Sequence, residues 1–509
     1  MSDDPQSDPR QAFQELCRWS VETARWVSIG DVLGWDERTM MPAADGEHRA
    51  EQLTLLSGLI HRRWTDRRLG ELLDHLETTA LADDPHSDAG TAIRRLRRSR
   101  DRAVKKPPEL VEELARTSVL GQQVWQQARR DNDFGSFQPL LDKTVRLKRE
   151  EAEAIGYDDQ PYDALLDEYE PDARTAEITA VLADLRDRLV PLVSAIAESD
   201  RRPASEILRR RYPVDAQERF GRMVAAAIGF DFDRGRLDVT AHPFCSGMGP
   251  NDCRITTRYN ERQPGSALFG IMHESGHGMY DQGLPTEFWG LPTGESISLG
   301  IHESQSRLWE NAVGRSHAFW RHFFPQAQAA FPEALAGVAI DDFHFAINEV
   351  RPSLIRVEAD EVTYNLHVMV RFELELALLN GDLPVAELPG AWNAKYREYL
   401  GIEPPDDADG VLQDVHWSSG AIGYFPTYSL GNLYAAHWMQ AAKTDLGDLD
   451  EQFARGEFAP LLSWLRENVH RHGQRYSATE LLAKVSGERL SSEPLITQLR
   501  HKFGPLYGF

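Results

Sequence analysis

Apolar residues recur every three to four positions along most of this chain, the spacing of helices that each bury one stripe. The pattern predicts helices over Gln11 to Val32, from about Gly46 through Ile60, from Pro107-Pro108 past Leu147, over Thr175 to Glu198 and over Asp215 to Ile228. Leu33 to Pro42 reads as a turn-rich aromatic stretch, and residues 83–88 read as a loop. Arg94 to Lys106 is strongly basic, but Ile93, Leu96 and Val104 keep helical spacing, so a solvated helix face is expected there.

The period changes once. Leu237-Asp238-Val239-Thr240 and Arg254 to Tyr259 are β-type runs around a Gly-Pro-Asn turn cluster, and they predict a small antiparallel sheet. Helices resume at Gly294 to Gly314 and at Asp360 to Leu379, the latter with acids in its first turn and Asn380-Gly381 as its stop. Gly420 to Gly431 is too rich in glycine and aromatics for a plain helix and is placed on a cleft. Ser477 to Glu480 is a capping box. No repeat and no convincing linker cuts the chain, so one mainly α body is expected, with a helical part about 1–230, the sheet about 236–260 and a metal-binding core about 261–440.

Composition narrows the function. With Lys+Arg 56 against Asp+Glu 80, the net charge of −24 argues against a nucleic-acid or anionic-membrane surface. Three cysteines make no disulfide framework, the first ten residues are acidic and polar where a signal peptide would be basic and then apolar, and a cytoplasmic protein is expected.

The chemistry sits just after the predicted sheet, in His273-Glu274-Ser275-Gly276-His277. Residues four apart share a helix face, so His273 and His277 can offer two imidazoles to one zinc ion, while Glu274 is rotated towards the attacking water as a candidate general base. Gly276 costs about 1 kcal/mol in a helix relative to Ala, which implies that another segment passes close at that turn, with the sheet edge as the expected neighbour. That edge could also bind an extended peptide. A catalytic zinc takes a third protein ligand. Of Glu295, Glu303 and Glu310 in the next helix, Glu303 is the choice, because Gly300 to Gln305 places it mid-helix among residues that suit a buried ligand. His302 reads as support or packing.

Six motifs then fall in order: His242-Pro243-Phe244, Asp252 to Thr256, His273 to His277, His302 to Gln305, Ile355 to Asp360 and Gly410 to Trp417. In these the chain resembles the thermostable carboxypeptidase (Taq type) family of zinc metallocarboxypeptidases. The resemblance implies a saddle-shaped helical fold with a deep groove, a homodimer, His273, His277 and Glu303 as ligands of a zinc replaceable by Co2+ or Mn2+, and Glu274 as base. It also implies release of single residues from peptides with a free C-terminus, with broad tolerance.

An enzyme of that direction must recognise a free carboxylate, for which a guanidinium is the natural partner. Arg356 and Arg254 are the candidates, each weighed against a buried ion pair with Asp252, Glu358 or Asp360. His416 and Tyr424 are expected to support the oxyanion, with Tyr428 and His242 on the substrate side. Cys245 and Cys253 read as reduced core cysteines rather than a second metal site with His242. The rival functions are a zinc oligoendopeptidase and an inactive helical scaffold.

Overall fold

The computed structural model describes residues 8–509; the polar start read above lies partly outside them, at residues 1–7. The protein is mostly helical. The first helix runs Pro9–Thr39 with the Asp8 side chain accepting from the Arg10 amide, so the aromatic stretch after Val32 continues the helix instead of turning. Trp35 is buried there, beneath the guanidinium of Arg254 at 4.5 Å. Among the described residues no helix is long and apolar enough to cross a membrane.

Among the described residues two apolar clusters organise the packing. Leu16, Leu69, Leu73 and Ile93 belong to a small one built by the N-terminal helices, and a larger one extends from Ala128 to Tyr507. The basic run, within the helix Asp88–Lys105, is not the solvated face expected from spacing. Arg95 is buried and pairs with Asp172 at 3.0 Å, while Arg98 and Arg102 both reach Asp167, at 2.7 and 2.8 Å. A buried guanidinium needs a partner, and these partners lie 65 to 77 residues further along, out of reach of any local pattern. The run joins the N-terminal helices to the main body.

The sheet has three strands, β1 Gly235–Val239, β2 Cys245–Gly249 and β3 Asp252–Thr257, in the order β1-β3-β2. The two runs visible in the sequence, β1 and β3, pair in parallel and not antiparallel as expected. The reason is β2, Cys-Ser-Gly-Met-Gly, whose glycines hide it from propensity. The chain reverses into β2 and reverses again into β3, so β3 regains the direction of β1, and only β2–β3 is antiparallel.

Candidate metal centre

Directly after the sheet comes the helix Pro264–Asp281, with Pro264 at its first turn where a missing N–H costs nothing. His273 and His277 sit on one face of it with ring centroids 4.9 Å apart. A second helix, Leu299–Arg307, opens where the Ser298 hydroxyl accepts from the Ile301 amide at 3.1 Å, later than the Gly294 start expected from pattern. A π-helical turn, Leu308–Val313, continues it.

Glycines set how closely these helices approach. A Cβ on Gly276 would come within 2.5 Å of the Gln305 carbonyl oxygen and 2.6 Å of Ser306 Cα. The segment implied by that glycine is therefore the Leu299–Arg307 helix, not the sheet edge; the sheet approaches at Gly278, where a Cβ would lie 3.3 Å from Cys253 Sγ. On the other side a Cβ on Gly431 would collide with Glu303 Cγ. Gly431 lies inside the helix Pro426–Leu446, so the glycine-rich stretch is irregular only before Pro426.

The result is that His273, His277 and Glu303 converge, one donor atom from each within 4.8 Å of the others. Glu303 Oε2 is 3.6 Å from His273 Nε2 and 3.4 Å from His277 Nε2. Donors about 2.0–2.2 Å from a tetrahedral zinc lie roughly 3.3–3.5 Å apart, so the spacing and the His2Glu chemistry both fit such an ion.

Each donor is aimed by a neighbour. His273 Nδ1 donates to Glu310 Oε2 at 2.9 Å, leaving Nε2 for a metal. With His302 neutral, its Nε2 donates to Asp281 Oδ1 at 3.0 Å, its Nδ1 accepts from His277 Nδ1 at 2.6 Å and His277 Nε2 is likewise left free. His302 is thus support, as read. Arg307 Nε donates to Glu303 Oε1 at 2.6 Å and turns Oε2 towards the imidazoles. Sequence reasoning missed the roles of Arg307, Glu310 and Asp281. Two of these signals were present: Glu303 and Arg307 are four apart, and Asp281, read only as a helix stop, continues the face of His273 and His277 at the same interval.

The charges respond to this packing. Burial pulls His273 down, but Glu303 and Glu310 outweigh it and raise it to about 9, whereas burial dominates at His277 and lowers it to about 4. Burial also pushes Glu274 up to about 7. In the metal-free protein His273 therefore holds a proton that an ion must displace. Between about 7 and about 9, metal uptake should release about one proton, and affinity should rise with pH and level off above about 9. Calorimetry in buffers of different ionisation enthalpy reads that number directly; uptake without proton release would show that the ion displaces no proton from His273.

Beyond the metal set lies an aromatic and arginine cluster. The Arg307 guanidinium lies 4.3 Å from the Tyr364 ring centroid, and the Tyr364 hydroxyl accepts from Arg356 Nη1 at 3.0 Å. Arg356 is buried, with Nε and Nη2 on Asp414 Oδ1 at 3.0 and 2.8 Å, and Arg371 holds the other oxygen of Asp414 at 2.6 Å. The ion-pair partner is Asp414 rather than Glu358 or Asp360. Tyr428 lies over Arg356 at 5.0 Å, and His416 Nε2 is 3.4 Å from the Tyr428 hydroxyl. Tyr424 packs on both, with centroids 5.3 Å from each. Burial lowers His416 to about 4, so it is neutral. Arg254 is occupied by Asp252, in two hydrogen bonds of 2.9 and 2.8 Å. His242 is exposed, ahead of β2.

The sequence profile of the family described as Carboxypeptidase Taq (M32) metallopeptidase matches residues 17–503. The chain is 48% identical over 509 residues to thermostable carboxypeptidase 1 of Thermus thermophilus, which covers 98% of this chain and 100% of that protein. It is 38% identical over 476 residues to carboxypeptidase 1 of Bacillus subtilis, across 94% and 95% of the two chains. The crystal structure of the M32 carboxypeptidase from Deinococcus radiodurans is similar with a TM-score of 0.95 at 41% identity, over 98% of this chain and 100% of that one.

Proposed function

Because this chain belongs to the carboxypeptidase Taq (M32) family and is a metallocarboxypeptidase, we propose that it works with zinc held by His273, His277 and Glu303, with Glu274 as general base. The observation that carries this reading is the convergence of those three donors on a spacing that suits the ion. Held by His273, His277 and Glu303, zinc would supply the Lewis acidity that peptide hydrolysis needs. Co2+ or Mn2+ can replace it.

Glu274 is buried beside the first histidine. Its carboxylate takes the proton from the attacking water and hands it to the departing amine. Arg356 binds the α-carboxylate of the substrate, using the Nη1 and Nη2 hydrogens not spent on Asp414 or Tyr364, with Tyr428 over its face. Arg254 is the weaker candidate, since both of its paired N–H groups already face Asp252. His416 and Tyr424 support the developing oxyanion, and a neutral His416 can do so only as a donor through one ring nitrogen. Tyr428 and His242 complete the substrate side of a reading with broad side-chain tolerance.

One unmodified peptide tests the direction of cleavage. Its products should shorten one residue at a time from the C-terminus by mass spectrometry, whereas internal fragments would favour the oligoendopeptidase. The same reading makes the enzyme a cytoplasmic homodimer that does not bind nucleic acid, in keeping with a net charge of −24. Light scattering should give twice the mass of the chain at micromolar concentration, and a monomer would remove that part alone.

A further inference from the structure

Beside the sheet, Cys245, Cys253 and Asp281 bring three more donor atoms within 4.8 Å of one another. The sulfurs are 3.5 Å apart, and Asp281 Oδ2 lies 3.8 Å from Cys253 Sγ and 4.0 Å from Cys245 Sγ. The other oxygen of that carboxylate accepts from His302, so among the described residues Oδ2 faces two thiols, which are weak donors.

Local structure builds this cluster from three elements. Gly247 is opposite Cys253 and Cys245 opposite Ile255, which sets the cysteines diagonally on one face of the β2–β3 pair. Asp281 arrives from the last turn of the Pro264–Asp281 helix. Two glycines admit the close approach: a Cβ on Gly247 would lie 2.9 Å from Asp281 Oδ2, and one on Gly278 would lie 3.3 Å from Cys253 Sγ. Around a tetrahedral zinc with Zn–S about 2.3 Å and Zn–O about 2.0–2.2 Å, sulfurs lie roughly 3.8 Å apart and sulfur and oxygen roughly 3.5 Å apart. The three observed separations each lie within about 0.5 Å of those values.

We propose that Cys245, Cys253 and Asp281 bind a second, thiophilic divalent ion of the zinc class, separate from the catalytic set and joined to it through His302. Thiolate donors favour zinc or cadmium over magnesium or manganese. Two metal–sulfur bonds form, two S–H bonds break and both protons pass to solvent. Asp281 keeps Oδ1 on His302 while Oδ2 meets the ion, so one carboxylate serves both centres. The sequence reads these cysteines as reduced core residues rather than a second metal site with His242, which is exposed, and gives no sign of Asp281 as a third donor.

Cobalt separates the two sites, because the catalytic set contains no sulfur. Reduced, metal-stripped full-length protein loaded with Co2+ should take up about two ions per chain and show near-ultraviolet thiolate-to-cobalt charge-transfer absorption. Cys245→Ala and Cys253→Ala should each take up about one ion, lose that absorption and keep peptidase activity, which also shows that they fold. One ion per chain in the wild type without the absorption would overturn the proposal. So would two ions retained in both variants.

Discussion

Glu274→Gln should keep its full complement of metal and lose turnover by about 100- to 10,000-fold, the range assigned to a positioned general base. The amide fills the same volume in a buried position and none of the three donors is touched, so the ion has no reason to leave. His273→Ala should lose metal and activity together, because it removes a donor and strips Glu310 of the proton it accepts. Metal analysis and kcat/KM on the two purified variants separate the roles. A Glu274→Gln enzyme retaining a large part of wild-type turnover would remove Glu274 as base.

The second large effect concerns the substrate's own charge. If Arg356 pairs with the α-carboxylate, amidating the peptide C-terminus removes one partner of a buried charge pair. That costs about 2–5 kcal/mol, or on the order of 30-fold to several thousand-fold in kcat/KM. Arg356→Ala should lose a similar factor on the free acid. The variant also takes one of two guanidiniums from Asp414, and the damage done there should weigh equally on acid and amide. A double cycle of enzyme and peptide cancels that common part. The combined loss should fall far short of the product of the single losses. Full additivity would mean that Arg356 serves only Asp414, and equal cleavage of acid and amide by the wild type would mean that no arginine reads the carboxylate.

The local parts of the fold were legible from the chain alone. Thr175–Glu198 and the Ser477 capping box have the bounds that spacing and caps predict, because both are set by residues within one turn. The convergence of His273, His277 and Glu303 was legible for the same reason, two histidines four apart and a glutamate at mid-helix. What escaped depends on contacts between distant segments. The parallel pairing of β1 with β3 follows from a glycine-rich strand with little propensity of its own, and the arginines of the basic helix are held by acids more than sixty residues away. Arg356 shows the same limit. Its neighbours Glu358 and Asp360 were the visible partners, yet Asp414, 58 residues on, is the one it holds.

The glycines that flank Glu303 also decide where this enzyme can acquire new preferences. At Gly276 a methyl group would strike Gln305 and Ser306, and at Gly431 it would strike Glu303, so random substitution of either glycine should return mostly inactive clones. The half-buried rings of Tyr424, Tyr428 and His416 are not locked in that way. A directed-evolution library aimed at altered side-chain selectivity belongs at Tyr428, on the substrate side over Arg356, with His416 and Tyr424 left in place to support the oxyanion.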